Sequence, residues 1–268
     1  MENYKYIIDF YNNVDEDSRL TDTKHGQVEF LTTMRYIEKY LTSGAKILEI
    51  GAGTGRYSHA LALKGYDVTA VELVEYNINI FKNRLLIQPV ENEKINIIQG
   101  NALDLSGFDN RSFDITLVLG PIYHLYCVED KIKALSEAIR VTKKGGVIFV
   151  AYCISDSSII TGGFKNGNII DWINDRILDG ETFRWKMQKD VFDRCVKEDI
   201  DGFMDKFDNI VERLHYVATD GQTNYMRETV DNMTDEMFEV YLKYHFTVCE
   251  RDDLVGATHH SLDVLRKL

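Results

Sequence analysis

Three glycines at alternate positions, Gly51, Gly53 and Gly55, follow directly on the apolar run Ala45 to Ile50, and Glu49 stands just before them. Glycine tolerates positive φ and lets a ligand come close to the backbone. The amphipathic pattern that follows (Tyr57, Ala60, Leu61, Leu63) opens a helix whose first N–H groups lack intrahelical partners. A strand, a glycine turn and a helix start in this order can hold a nucleotide-like ligand. The spacing is G-x-G-x-G, which differs from the G-x-G-x-x-G of dinucleotide sites. Glu72 closes the next strand-like run and stands 21 positions after Gly51, near the roughly 20 at which an acid accepts both hydroxyls of a ribose. The competing reading is an ordinary strand-end acid favoured by the dipole of the following helix. Further on, His124 is the only imidazole in Gly120-Pro121-Ile122-Tyr123-His124-Leu125. It is the candidate general base, or else it orients substrate or caps the next helix; Tyr123 beside it is a wall or a donor.

These residues need a frame that brings strand ends together. Strands are expected at Ala45–Ile50, Tyr66–Glu72, Ile95–Gln99, Phe113–Leu119 and Val147–Cys153. Helices are expected after the glycine turn up to Gly65, over Val74–Leu86 and over Glu129–Thr142, with a polar connection from Pro89 to Lys94. Phe113 to Leu119 is a nearly continuous apolar run, as a buried parallel strand requires. Lys143-Lys144-Gly145-Gly146 reads as a turn before the fifth strand. Five strands with helical crossovers argue for an α/β, doubly wound parallel sheet. Before them, Tyr4 to Tyr11 and Val28 to Leu41 carry helical apolar patches around a polar stretch that holds Arg19 and His25. These helices either pack on the sheet edge or close over the cleft as a lid. After the fifth strand, Ile169–Ile177 and Val191–Phe207 look helical, anchored by Trp172 and Trp185. A sixth strand is expected around Ile210–Ala218, a helix from Asp235 to about Cys249 and a last strand over Thr258–Val264. His259 and His260 should then point to opposite faces of that strand and serve structural roles.

Taken together, strand-E-x-G-x-G-x-G, the placement of Glu72, Gly100-Asn101-Ala102-Leu103-Asp104-Leu105 and the K-x-G-G segment resemble class I S-adenosylmethionine (SAM) dependent methyltransferases of the bacterial small-molecule type. The resemblance covers about residues 45–153 and implies a Rossmann-like, seven-stranded, mostly parallel sheet. It implies four regions: an N-terminal helical lid (1–44), the SAM-binding core (45–154), a helical insertion or cap after the fifth strand (155–208) and the remainder of the sheet (209–268). It places SAM as the cofactor, its amino-acid end at Glu49 and the turn Gly51, Ala52, Gly53 and Gly55, and its ribose at Glu72. Leu73 would face the adenine, Asn101 and Ala102 would bond it, and Leu119 would complete the cofactor contacts. The family often has Asp where Asn101 stands, and the asparagine carbonyl oxygen can make the same contact. Tyr11, Arg19, Tyr123 and His124 are the expected substrate contacts. The G-P-I-Y-H-L loop sits where amino-group methyltransferases of adenine or glutamine carry (D/N)-P-P-Y, with Gly120 in place of the polar residue.

Composition narrows the partners. The chain carries 43 acidic and 31 basic residues, a formal charge of −12, which disfavours a protein that lives on nucleic-acid phosphates. Cys127, Cys153, Cys195 and Cys249 form no C-x-x-C pair. With no signal-peptide pattern, they are expected to be reduced thiols in the cytoplasm. No apolar run reaches the roughly 20 residues of a membrane helix, and no metal site is expected. The expected activity is methyl transfer to oxygen or nitrogen of a small molecule. Three alternatives stand beside it: methylation of a metalloid or thiol with Cys127 and Cys153 facing the cleft, a non-catalytic SAM-binding regulator, and a nucleotide-dependent oxidoreductase.

Overall fold

A computed structural model describes residues 4–91, 94–186 and 191–268. Asn92 and Glu93 of the expected polar connection lie outside the described residues. The strands are β1 (Lys46–Ile50), β2 (Asp67–Glu72), β3 (Ile95–Gln99), β4 (Phe113–Val118), β5 (Thr142–Ile154), β6 (Arg194–Cys195), β7 (Val211–Ala218) and β8 (His260–Lys267). They form one sheet in the order β3-β2-β1-β4-β5-β8-β7, with β6 paired to β5. The first five are parallel to their neighbours, and β8 runs antiparallel to both β5 and β7. Ile50 pairs with Val71 on one side and Val118 on the other. The C-terminal ends of β1, β2 and β4 therefore come level where the strand order reverses, which is where an open α/β sheet leaves its crevice.

Helices cover both faces because β1 and β4 are apolar on both sides. On one face α5 (Val128–Val141) packs Leu135, Ala138 and Ile139 against Val118, Ile148 and Val150. On the other, α3 (Arg56–Leu63) and α2 (Lys24–Tyr40) bring Leu61, Ala62, Met34 and Ile37 onto Ile47, Leu117 and Phe149. Phe81 of α4 (Glu75–Ile87) fills the space beneath the glycine turn. The α2 helix packs on the face of the sheet over β1, β4 and β5 and not on its edge. The short α1 (Lys5–Tyr11) instead lies over the crevice, where Ile7 and Tyr11 line it.

Four expectations change. Among the described residues the sheet has eight strands and not seven, the extra one being the two-residue β6. Val191–Val196 is not helical; the helix there runs over Lys197–Met204. The Asp193 N–H donates to the Tyr123 carbonyl at 2.7 Å, and Cys195 pairs with Ile154, so this backbone is committed to β5. Lys143–Gly146 is not a turn between elements but a bulge within β5. Phe113 pairs with Thr142 while Ile115 pairs with Val147, so five residues of β5 span the distance of two in β4, and Gly145 takes up the bend at φ 79°.

The last difference concerns the histidine pair. β8 starts at His260, so His259 is outside the ladder and strand alternation does not apply to it. Asp220 Oδ1 accepts the N–H groups of both His259 and His260, at 2.9 and 3.2 Å. This turns the backbone and brings the two rings within 4.2 Å of each other, centroid to centroid. The histidines lie together.

Gly55 initiates α3 at φ 77°, and a Cβ there would point at the Phe81 ring, 2.4 Å from its nearest atoms. Gly55→Ala should cost about 1–3 kcal/mol through overpacking, seen as a lower urea midpoint at unchanged m. A midpoint equal to wild type would remove Phe81 as the support of the turn.

Candidate active site

The crevice, with the open solvent at its mouth, takes up about 950 Å³ and has a floor, a roof and an inner end. Its floor is the glycine turn. The N–H groups of Gly51 and Ala52 both donate to the Val71 carbonyl, at 2.7 and 3.0 Å, and so fix the turn to β2. Gly51 has φ 72°, and a Cβ on it would fall 2.7 Å from the Pro121 ring, so only glycine lets the loop after β4 pack this closely. Gly53, at φ 55°, has nothing within 4 Å of its Cβ direction. Its backbone is open to the crevice.

Glu72 is buried at the end of β2. Its carboxylate accepts the Gly53 N–H at 2.7 Å, the Val74 N–H at 2.8 Å and the Asn77 amide at 3.4 Å. Burial raises its pKa, and the backbone N–H donors pull it back. A carboxylate has about four acceptor positions, so capacity for a diol remains. The Asn77 Oδ1, in the same wall, is buried and has no hydrogen-bond partner among the described residues. Glu49 accepts the Ser58 N–H at 2.9 Å and also the Ser58 hydroxyl. Burial pushes the Glu49 carboxyl up to about 8 against those donors, and the Glu72 charge adds to the rise. Asn101 Oδ1 accepts the Leu103 N–H at 2.9 Å, which sets the orientation of the side chain. Leu73, Ala102 and Leu119 line the same space.

The roof comes from α1 and the segment after it, through Tyr4, Ile7, Tyr11, Glu16, Arg19 and Leu20. It is clasped to the core at Asp17. The Asp17 carbonyl accepts Arg56 Nε and Nη2 at 2.9 and 2.6 Å, and its carboxylate pairs with Arg84 and with Arg56. Arg19 lines the crevice, but its guanidinium is held by Glu16 and Glu29, each at 2.7 Å.

At the inner end, His124 Nδ1 is 2.7 Å from the Val191 carbonyl, and Nε2 is 2.9 Å from the Tyr11 hydroxyl. A carbonyl can only accept, so Nδ1 carries the proton and Nε2 presents a lone pair. The Tyr123 hydroxyl donates to the Leu119 carbonyl at 2.7 Å. Burial holds the Tyr11 and Tyr123 hydroxyls well above their ordinary pKa. Both stay protonated.

Every residue expected to contact cofactor or substrate lines this one crevice except Gly55, which faces Phe81 instead. Neither Cys127 nor Cys153 lines it. The Cys127 sulfur caps α5 by accepting the Asp130 N–H at 3.4 Å. Sequence reasoning missed Asn77, whose signal was a polar side chain on the first turn of α4, and Arg56, Arg84 and Glu29, which gave none.

The family profile described as a methyltransferase domain matches residues 48–150. Residues 48–150 are thus similar to a methyltransferase domain. The match spans β1 to β5, and it contains the floor but not the roof of the crevice. Demethylmenaquinone methyltransferase of Clavibacter sepedonicus is 31% identical over 137 residues, covering 51% of this chain and 51% of that protein. Ubiquinone biosynthesis O-methyltransferase of Coxiella burnetii is 30% identical over 118 residues, covering 43% and 47%. The chain spans about half the length of these curated relatives. A Thermotoga maritima structure described as a SAM-dependent methyltransferase, possible histamine N-methyltransferase, superposes with TM-score 0.60 at 19% identity, over 99% of this chain and 100% of that one. SAM is the donor that the family implies. Two buried carboxylates, the open Gly53 and the unpartnered Asn77 oxygen suit a ligand with a ribose diol and a cationic amino-acid end. The residues of the methyltransferase domain fit the group.

Because the Glu49 carboxyl titrates near 8 when folded against 4.5 ordinarily, its contribution to stability is full at low pH and is lost as pH rises through about 8. Wild type should therefore lose, relative to Glu49→Gln, on the order of a few kcal/mol between about pH 4.5 and 8. Thermal melts across that range test this, and parallel curves would mean that the buried carboxyl stays ionised.

Proposed function

We propose that the chain transfers the methyl group of SAM to a hydroxyl of a small-molecule acceptor. SAM supplies an electrophilic methyl group when bound. The observation that carries the reading is the His124 imidazole, whose Nε2 lone pair is turned into the crevice by the Val191 carbonyl on Nδ1. An acceptor hydroxyl that replaces Tyr11 on Nε2 gives its proton to His124, and Val191 steadies the resulting imidazolium. Tyr11 and Tyr123, held protonated by burial, are donors or walls and not bases. Ile7, Leu20 and Leu125 with the aromatic rings favour a flat, largely apolar acceptor and exclude water from it. Arg19, neutralised by Glu16 and Glu29, positions the wall. Two of the curated relatives carry names of quinone-biosynthesis methyltransferases, so hydroxylated quinone precursors are the first acceptors to try.

In this reading residues 1–44 are the lid, 45–154 bind the cofactor, 155–208 form the cap and 209–268 complete the sheet. The cytoplasm is the proposed setting, supported by four free cysteines. Among the described residues no helix is long and apolar enough to cross a membrane. Nucleic acid is not the proposed partner, given the charge of −12.

Calorimetric titration of SAM should show micromolar binding by wild type, weakened at least about tenfold, or ~1.4 kcal/mol, in Glu72→Ala. Equal binding by the variant would remove Glu72 from the cofactor site. With an acceptor in hand, His124→Gln should lower kcat by about 10²–10⁴ while SAM affinity is kept. A kcat unchanged in that variant would mean that the acceptor needs no base, as a neutral amine does not.

A further inference from the structure

Behind the inner wall of the crevice lies a second polar cluster that the methyl-transfer reading does not use. Asp220, which follows β7, directs Oδ1 to the backbone N–H groups of His259 and His260 and to the Thr258 hydroxyl. That fixes the carboxylate and leaves Oδ2 facing both imidazoles. Oδ2 is 3.5 Å from His260 Nδ1 and 3.8 Å from His259 Nδ1. These separations are too long for good hydrogen bonds, and among the described residues the buried His260 Nδ1 makes no well-aligned hydrogen bond, with the Glu29 carboxylate 3.2 Å away.

We infer that Asp220, His259 and His260 form a binding site for a divalent transition-metal ion. Donors about 2.1 Å from such an ion are roughly 3.4 Å apart when tetrahedral and roughly 3.0 Å apart when octahedral. The two Asp220–histidine separations lie close to this range, and one donor atom from each residue lies within 4.8 Å of the other two. Two imidazole nitrogens and one carboxylate oxygen select Zn²⁺, Fe²⁺, Co²⁺ or Mn²⁺ over Mg²⁺ or Ca²⁺. Glu29 Oε2 stands 3.2 Å from His260 Nδ1 but is already paired with Arg19, so it is the anionic neighbour of the site and not a fourth anchor. Among the described residues, Asp220 has no lysine or arginine in ion-pair contact; its cationic partners are the two histidines. The His259 side chain is 26% exposed, which gives an ion a way in. The site backs onto the crevice: the His260 ring centroid is 6.1 Å from that of Tyr123.

The test uses the full chain, stripped with a chelator and titrated with Zn²⁺ by calorimetry and with Co²⁺ by visible absorption. Wild type should bind about one ion per chain, with Co²⁺ bands from nitrogen and oxygen ligation and a raised melting temperature. His260→Gln and the partly exposed His259→Gln should each weaken Zn²⁺ binding at least about tenfold and lose the Co²⁺ bands. SAM titration of His259→Gln, expected to match wild type, confirms that this variant is folded. It also separates the metal site from the methyl-transfer reading, which can fail or stand independently. Absence of saturable binding by wild type, or binding unchanged in both variants, would overturn the inference and leave a proton on His260, shared with Glu29 and Asp220, as the charge that holds the cluster together.

Discussion

The arrangement of the crevice depends on one buried carboxylate. An ionised side chain removed from water costs several kcal/mol unless it is hydrogen-bonded, and Glu72 is satisfied only if the glycine turn delivers the Gly53 N–H to it while α4 delivers that of Val74. The turn can do so because its glycines accept positive φ. Gly51, held in that conformation, leaves the space into which Pro121 packs. Pro121 in turn starts the short helix that carries Tyr123 and His124. One carboxylate thus joins the floor of the crevice to the candidate base, from β2 through the turn to the loop after β4.

Much of this was legible in the sequence, for a definite reason. The first four strands are buried on both faces or end at glycine and acid punctuation, so their limits appear within one residue, and the floor residues fall at fixed offsets from those limits. What was not legible depends on long-range pairing. Two residues at Arg194–Cys195 join β5 because the Tyr123 carbonyl and Ile154 capture the neighbouring backbone, although the local pattern favours a helix. The K-x-G-G segment reads as a turn in isolation and becomes a bulge only because β4 lies beside it. The histidine pair is misread for the same reason, since strand alternation governs only residues inside a ladder, and Asp220, about forty residues earlier in the chain, decides that β8 begins at His260.

Floor and inner end also differ in what they ask of a ligand. Glu49, Glu72 and the unpartnered Asn77 oxygen make the floor an acceptor surface that suits ammonium and hydroxyl groups. The inner end is aromatic and apolar around one imidazole, and it suits a flat ring with a single polar atom. A donor and an acceptor of such different character would sort themselves to opposite ends, which sets their order without a separate recognition element.

The Asp17 clasp has a consequence for exchange with solvent. The roof segment is fastened to α3 and α4 through partly exposed contacts with two arginines, whereas the sheet beneath it is held by apolar packing. Contacts of the first kind weaken as mobile ions screen them, and those of the second kind do not. Ionic strength can therefore loosen the way in and out of the crevice without loosening the fold. Dissolved salt, and not temperature, is the variable that would separate release of the Asp17 contacts from unfolding.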